Sequence, residues 1–223
     1  RRKEREALQR DTALFHNKIL DLLEIYAKEQ SANVLAVRLV APLFALARGS
    51  GDVSPQVATR ASHILRSRLC RAKEVPHGAL DVAQIVDELG ATHAFVRATQ
   101  DPPMADLANA VSLYYTKVLL RNGHTDEPAA VYGETLRDFL RRKASPVRPA
   151  FLLEGVRRFP ELGWALRAAL LDGARLSYAV HAFRQMQALT MLQAVLQQQQ
   201  HADSRQASVS DALAFVHLSL IHI

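Results

Sequence analysis

The stretch DTALFHNKILDLLEIYAKEQ, Asp11 to Gln30, carries Leu14, Leu22, Ile25 and Tyr26 at helical steps, and Ile19 and Leu23 widen that stripe. A helix turns about 100° per residue, so this spacing predicts one apolar face on an amphipathic helix. Working outward, a second helix is expected from about Val34 to Arg48, ended by Gly49, Ser50 and Gly51. Ser54 and Pro55 supply an N-cap and a first-turn proline for a third helix reaching about Ala72. Pro76, His77 and Gly78 then read as a turn.

The rest of the chain repeats this pattern. A short helix is expected from Asp81 to Leu89 with Gly90 as its stop, and a long one from Met104 to Arg121 after the breaker Asp101-Pro102-Pro103. Asp126, Glu127 and Pro128 open a helix that ends in Arg141, Arg142 and Lys143. Phe151 to Arg158, Glu161 to Leu171 and Ser177 to Gln200 follow, and Ser210 is placed to cap one more. No segment alternates with period two between hairpin turns, so a sheet has no source.

About nine helices result, pairing at roughly 40 residues per pair without a repeated signature, which predicts an all-α, HEAT- or armadillo-like helical repeat array, with an irregular helical domain as the competing architecture. Composition agrees. Apolar residues make up 49% of the 223, enough for a sizeable core, while aromatics at 6% favour helix over strand. Residues 1–200 are expected to form the repeat domain. The glutamine run Gln197 to Gln200 leads into HADSRQAS, so residues 201–223 read as a polar linker and terminal segment. The closing SLIHI resembles a translated sequencing-adapter tail, and with Arg1 in place of Met at the start the chain is expected to be a fragment of a longer protein.

Catalytic and cofactor motifs are not apparent. There is no GxSxG elbow, no HExxH and no phosphate-binding glycine loop, and His16, His63, His77 and His93 are isolated from one another. The single cysteine, Cys70, falls in the third helix and excludes an internal disulfide, which favours a reducing compartment. No run of about 18 apolar residues suggests a membrane span. No cofactor is expected.

Charge is more informative. The formal net charge is +6, and between Ala130 and Met186 ten Arg and Lys face five acids. Arg141, Arg142, Lys143, Arg157 and Arg158 belong to that basic half. On the third helix Arg60, His63 and Arg71 turn away from Ala61, Leu65 and Leu69, with Arg66 beside them. Such faces suit phosphate backbones, because each neutralised phosphate releases counterions whatever the base sequence. They also suit an ordinary solvated surface, and Arg141 to Lys143 sit where cations favour a helix dipole.

The segments LFHNKILDLLEIYAKEQ (Leu14 to Gln30) and ILRSRLCRAKEVP (Ile64 to Pro76) resemble the C-terminal half of the DNA polymerase phi / Myb-binding protein 1A family. LRDFLRRKASPVRPAFLLEGVRRFPELGWAL (Leu136 to Leu166) and AFRQMQALTMLQ (Ala182 to Gln193) continue the likeness. The resemblance implies a protein of the nucleus and nucleolus, built of helical repeats. It implies partners among rDNA or rRNA, nucleolar proteins and pre-ribosomal particles, with roles in rRNA transcription and ribosome assembly.

The polymerase activity in the family's name is a separate matter, since B-family polymerases need metal-binding carboxylates in motifs resembling DxxSLYPS and YxDTD. The nearest string, VSLYYTKVL from Val111 to Leu119, has Asn109 where the aspartate belongs and no partner motif after it. Tyr114 and Tyr115 are expected as a core residue and a groove or surface residue. The reading is a non-catalytic scaffold, with a DNA polymerase and a HEAT-type adapter for proteins alone as rivals.

Overall fold

The computed structural model describes residues 2–49, 53–175 and 178–200, with residues 2–10 and Ala13 described by their backbone. All regular structure among them is helical. The helices are α1 (Arg2–Glu29), α2 (Val34–Arg38), α3 (Val40–Ala47), α4 (Pro55–Ile64) with a π-helical turn at Leu65–Leu69, α5 (Val82–Val96) and α6 (Pro102–Arg121). They continue as α7 (Asp126–Arg141), α8 (Pro149–Arg158), α9 (Pro160–Ala165), α10 (Arg167–Ala174) and α11 at residues 182–200.

Most starts follow the expected chemistry. The side chains of Asn33, Ser54, Asp81 and Asp101 each accept a backbone N–H of the helix they open. Prolines stand in the first turns of α4, α6, α8 and α9, where their missing N–H has no helical partner to lose. Gly49 and Gly123 have positive φ, 67° and 85°, at the ends of α3 and α6, a conformation that glycine adopts without Cβ strain.

Several expected boundaries differ, among them the start of the helix expected from Ser177, which lies at residue 182 after the non-helical residues 178–181. The helix from Asp81 continues through Gly90 to Val96, because Leu89, Thr92, His93 and Val96 are buried on its inner face. Their packing outweighs a glycine penalty of about 1 kcal/mol. The Val34–Arg48 segment is broken at Leu39 into α2 and α3. Pro42 explains this, since its ring cannot sit against the carbonyl four residues earlier, that of Arg38, in a regular helix. The Glu161–Leu171 segment likewise divides at Leu166 into α9 and α10. Residues 201–223, with the proposed linker, the Ser210 cap and the SLIHI tail, lie outside the described residues, as do Ser50, Gly51 and Ser177.

Among the described residues, the chain divides into two compact units, one drawn from residues 1–135 with 144–147 and the other from residues 136–143 with 148–223. In the first, α5 packs on α6, α3 on α4, and α1 on α4 and the π-helical turn. Its core holds Leu43, Ile64, Leu65, Leu69, Leu89, Leu107, Val111 and Leu119. Ala61, Leu65 and Leu69 are fully buried, as the helical-wheel reading requires. Cys70 caps the π-helical turn, its N–H reaching the carbonyl of Leu65.

In the second unit, Leu136, Phe139 and Leu140 from the last turns of α7 are buried, as are Phe151, Leu152, Leu162, Leu170, Ala188 and Met191. Two glycines allow close approach there. A Cβ on Gly163 would lie 3.1 Å from Val195 and 3.3 Å from Val156, and one on Gly173 would lie 2.6 Å from Leu140.

Candidate nucleic-acid interface

The eight basic residues singled out from the sequence fall in both units and have different surroundings. Arg60 in α4 is half-buried, hydrogen-bonded to Asp21 and 3.7 Å from Glu24, both on α1. Arg68 joins the same cluster through Glu24 at 3.0 Å. Arg60 therefore fastens α1 to α4. Arg66 is exposed but donates to the carbonyl of Pro103 at 2.8 Å, and Arg71 is exposed.

In the second unit, Arg141, Arg142, Lys143, Arg157 and Arg158 are all exposed. The end of α7 is organised by a residue the sequence reading did not single out. Arg184, buried in α11, donates to the carbonyl of Phe139, to that of Arg142 at 2.7 Å and to that of Lys143 at 3.3 Å. Burial pulls the pKa of this guanidinium down, while Asp138 pulls it up. It nonetheless stays charged, because its intrinsic value is so high.

A helix end leaves carbonyls without intrahelical partners, and here a cation from another helix serves them. The side chains of Arg141 and Lys143 are thereby relieved of that task. Arg141 lies 5.5 Å from the ring of Tyr178, and Arg142 pairs with Asp138 at 3.4 Å. Arg175 pairs with Asp172 at 3.1 Å. Arg157 and Arg158 end α8 with no acidic partner among the described residues. The carbonyl of Arg157 accepts from Gln198 Nε2 at 2.7 Å.

A buried polar cluster in the first unit was also missed. His93 of α5 is fully buried, with Nδ1 2.8 Å from Thr135 Oγ1 and Nε2 2.8 Å from Ser112 Oγ. Ser112 also lies 2.9 Å from the hydroxyl of Tyr132, and Arg97 donates to Thr135 at 2.9 Å. Arginine only donates, so Thr135 accepts from it and can turn its own proton to His93 Nδ1. The ring proton then sits on Nε2 and points at Ser112. Burial, reinforced by Arg97, pulls the His93 pKa down to about 3, so the ring is neutral. The signal was present: His93 follows Leu89 by four residues and precedes Val96 by three, on the apolar stripe of α5.

The VSLYY string lies inside α6. Ser112, Tyr114 and Tyr115 are all buried, which corrects the groove or surface position expected for Tyr115. Its hydroxyl donates to Glu88, and burial drives its pKa upward, with the Glu88 hydrogen bond adding to the effect. Among the described residues, no three His, Cys, Asp or Glu side chains gather as a metal site, and no helix is long and apolar enough to cross a membrane.

The profile of the family described as Myb-binding protein 1A-like, TPR repeats, matches residues 30–221. The chain belongs to this family. It is also similar to human Myb-binding protein 1A, with 31% identity over 137 residues, covering 55% of this chain and 10% of the human protein. The chain thus spans about a tenth of the length of that relative. No solved structure matches. Family membership and the helices together place the fold among all-α helical repeat arrays.

Proposed function

We propose that this chain is a non-catalytic part of a helical-repeat scaffold, whose second unit binds nucleic-acid backbone through Arg141, Arg142, Lys143, Arg157 and Arg158. The observation that carries this reading is the capping of α7 by Arg184. With those carbonyls served from α11, the exposed side chains of Arg141 and Lys143 beside them can turn to an external anion, while Arg142, paired with Asp138, adds its charge to the face. Arginine forks match phosphate oxygens in two-point contacts, and several of them on one unit bind in a salt-dependent way. Arg66 and Arg71 extend the candidate set in the first unit, whereas Arg60 serves mainly to hold α1.

The family likeness supports rDNA or rRNA as the nucleic acid, nucleolar proteins or pre-ribosomal particles as further partners, and action in rRNA transcription and ribosome biogenesis within the nucleolus. The test is titration of labelled duplex DNA and structured RNA with the chain and with a Lys143→Glu, Arg157→Glu, Arg158→Glu variant. Each lost phosphate contact lowers the salt slope by about one and weakens binding to all sequences alike. Unaltered affinity in a folded variant would remove this face from the reading.

A second reading, an adapter for proteins alone, draws on exposed apolar side chains. Leu14, Phe15, Ile19, Leu22 and Ile25 lie on the outer side of α1, away from buried Leu20 and Ala27. Phe183, Met186, Leu189 and Leu196 do the same on α11. Exposed apolar patches of this kind mark interaction surfaces. A folded chain that binds no nucleic acid at low salt would favour this alternative.

A further inference from the structure

Trp164 is the chain's one tryptophan, and 43% of it is exposed on α9. An indole offers a large π-face and one N–H donor, so a ring left partly in water can accept a stacking partner. The ring is also held. Arg167 places its guanidinium 4.6 Å from the ring centroid and donates to the Trp164 carbonyl at 2.7 Å. The preceding residue, Gly163, packs against Val156 of α8 and Val195 of α11, which fixes the short helix beneath the indole.

The same contact joins α9 to the end of α8, which carries two exposed cations. Val156, which would lie 3.3 Å from a Cβ on Gly163, is followed directly by exposed Arg157 and Arg158. A fixed, half-exposed aromatic ring thus stands one residue from a close interhelical contact whose other side leads into two exposed arginines. Single-stranded nucleic acids are bound by this combination, in which cations follow the phosphates and bases stack on aromatic faces. Duplexes keep their base faces stacked inside and offer none to an indole.

We propose that Trp164, with Arg167, Arg157 and Arg158, forms a stacking platform for an unpaired base and directs this unit to single-stranded segments in preference to duplex. The proposal rests on the nucleic-acid reading above and specifies its substrate class. Arg157 and Arg158 hold the phosphates, and Trp164 supplies the π-face. Stacking is tolerant of sequence because every base has such a face.

A single tryptophan makes the test direct. The chain is titrated with a 12-nucleotide oligouridylate and with duplex RNA of matched charge, following tryptophan emission and, separately, the anisotropy of the labelled nucleic acid. The oligouridylate is expected to quench the emission, and the duplex to leave it nearly unchanged. Trp164→Ala is expected to lower single-strand affinity about tenfold, while Trp164→Phe keeps most of it. Binding seen by anisotropy with unmoved emission and an unaffected Trp164→Ala variant would overturn the platform but leave the basic-face reading standing. Equal quenching by duplex would overturn the preference. No binding of either RNA to the folded chain would overturn both.

Discussion

The guanidinium of Arg184 lies 5.0 Å from the ring centroid of Phe139 and donates to that residue's own carbonyl. One side chain thereby covers an aromatic face and closes the end of α7 through the carbonyls of Phe139, Arg142 and Lys143. Replacing Arg184 with leucine strands buried acceptors, each worth about 1 to 3 kcal/mol when left unmet. Arg184→Leu is therefore expected to destabilise the chain by about 2 to 4 kcal/mol in urea unfolding, with Arg184→Lys recovering part of the loss. An Arg184→Leu variant as stable as the parent would show that the carbonyls find other donors.

Arg60 and Arg158 make opposite predictions. Arg60 is bound to Asp21 and approaches Glu24, both partly exposed, so Arg60→Ala should cost about 0.5 to 1 kcal/mol of stability. Its effect on nucleic-acid affinity should be small. Arg158→Ala should leave the unfolding midpoint unchanged and weaken RNA binding. Unfolding curves and binding isotherms on the two variants check both halves, and a reversed pattern would reassign the two arginines.

The buried His93 cluster ties stability to pH with a definite sign. His93 titrates near the ordinary value of 6.5 when unfolded and at about 3 in the fold. The unfolded chain therefore takes up the proton first as pH falls. Its contribution to stability is fully present above pH 6.5 and is lost progressively from there toward pH 3, at up to about 1.4 kcal/mol per pH unit. Urea midpoints measured across that window should fall for the native chain and fall less steeply for His93→Leu. The variant should itself be less stable at pH 7 by about 2 kcal/mol, since Ser112 and Thr135 lose a partner. Parallel pH profiles would contradict the assignment.

Two helical glycines separate backbone freedom from packing. A Cβ on Gly90 meets nothing within 4 Å, so Gly90→Ala should stabilise α5 by about 0.5 to 1 kcal/mol. A Cβ on Gly173 meets Leu140 at 2.6 Å and Ala188 at 3.2 Å, so Gly173→Ala should destabilise by about 1 to 3 kcal/mol. Thermal unfolding of the pair gives opposite shifts if the packing is right, and like shifts if it is not.

What was legible in the sequence was set by residues that act locally. Ser54-Pro55 and Asp101-Pro102 mark helix starts because capping and a fixed φ need no tertiary partner. Gly90 misled, because a propensity of about 1 kcal/mol yields to the burial of Leu89, His93 and Val96, which only the fold reveals. The break at Leu39 was available from Pro42 but passed over. Arg60 and Arg158 look alike in a sequence. They part only when α1 brings Asp21 and Glu24 to one of them, a contact across 39 positions. Arg184 is likewise unreadable as a cap until α11 meets the end of α7.

The most direct measurement is the salt dependence of nucleic-acid affinity for the folded chain, from about 50 to 200 mM salt, beside its Lys143→Glu, Arg157→Glu, Arg158→Glu variant. Five cations engaging phosphates should give a slope of log K against log salt of roughly −3.5 for single strands to −4.5 for duplex, and the variant should be shallower by about 2 to 3. No binding at low salt, or one slope shared by both proteins, would contradict the claim that this basic face grips nucleic acid.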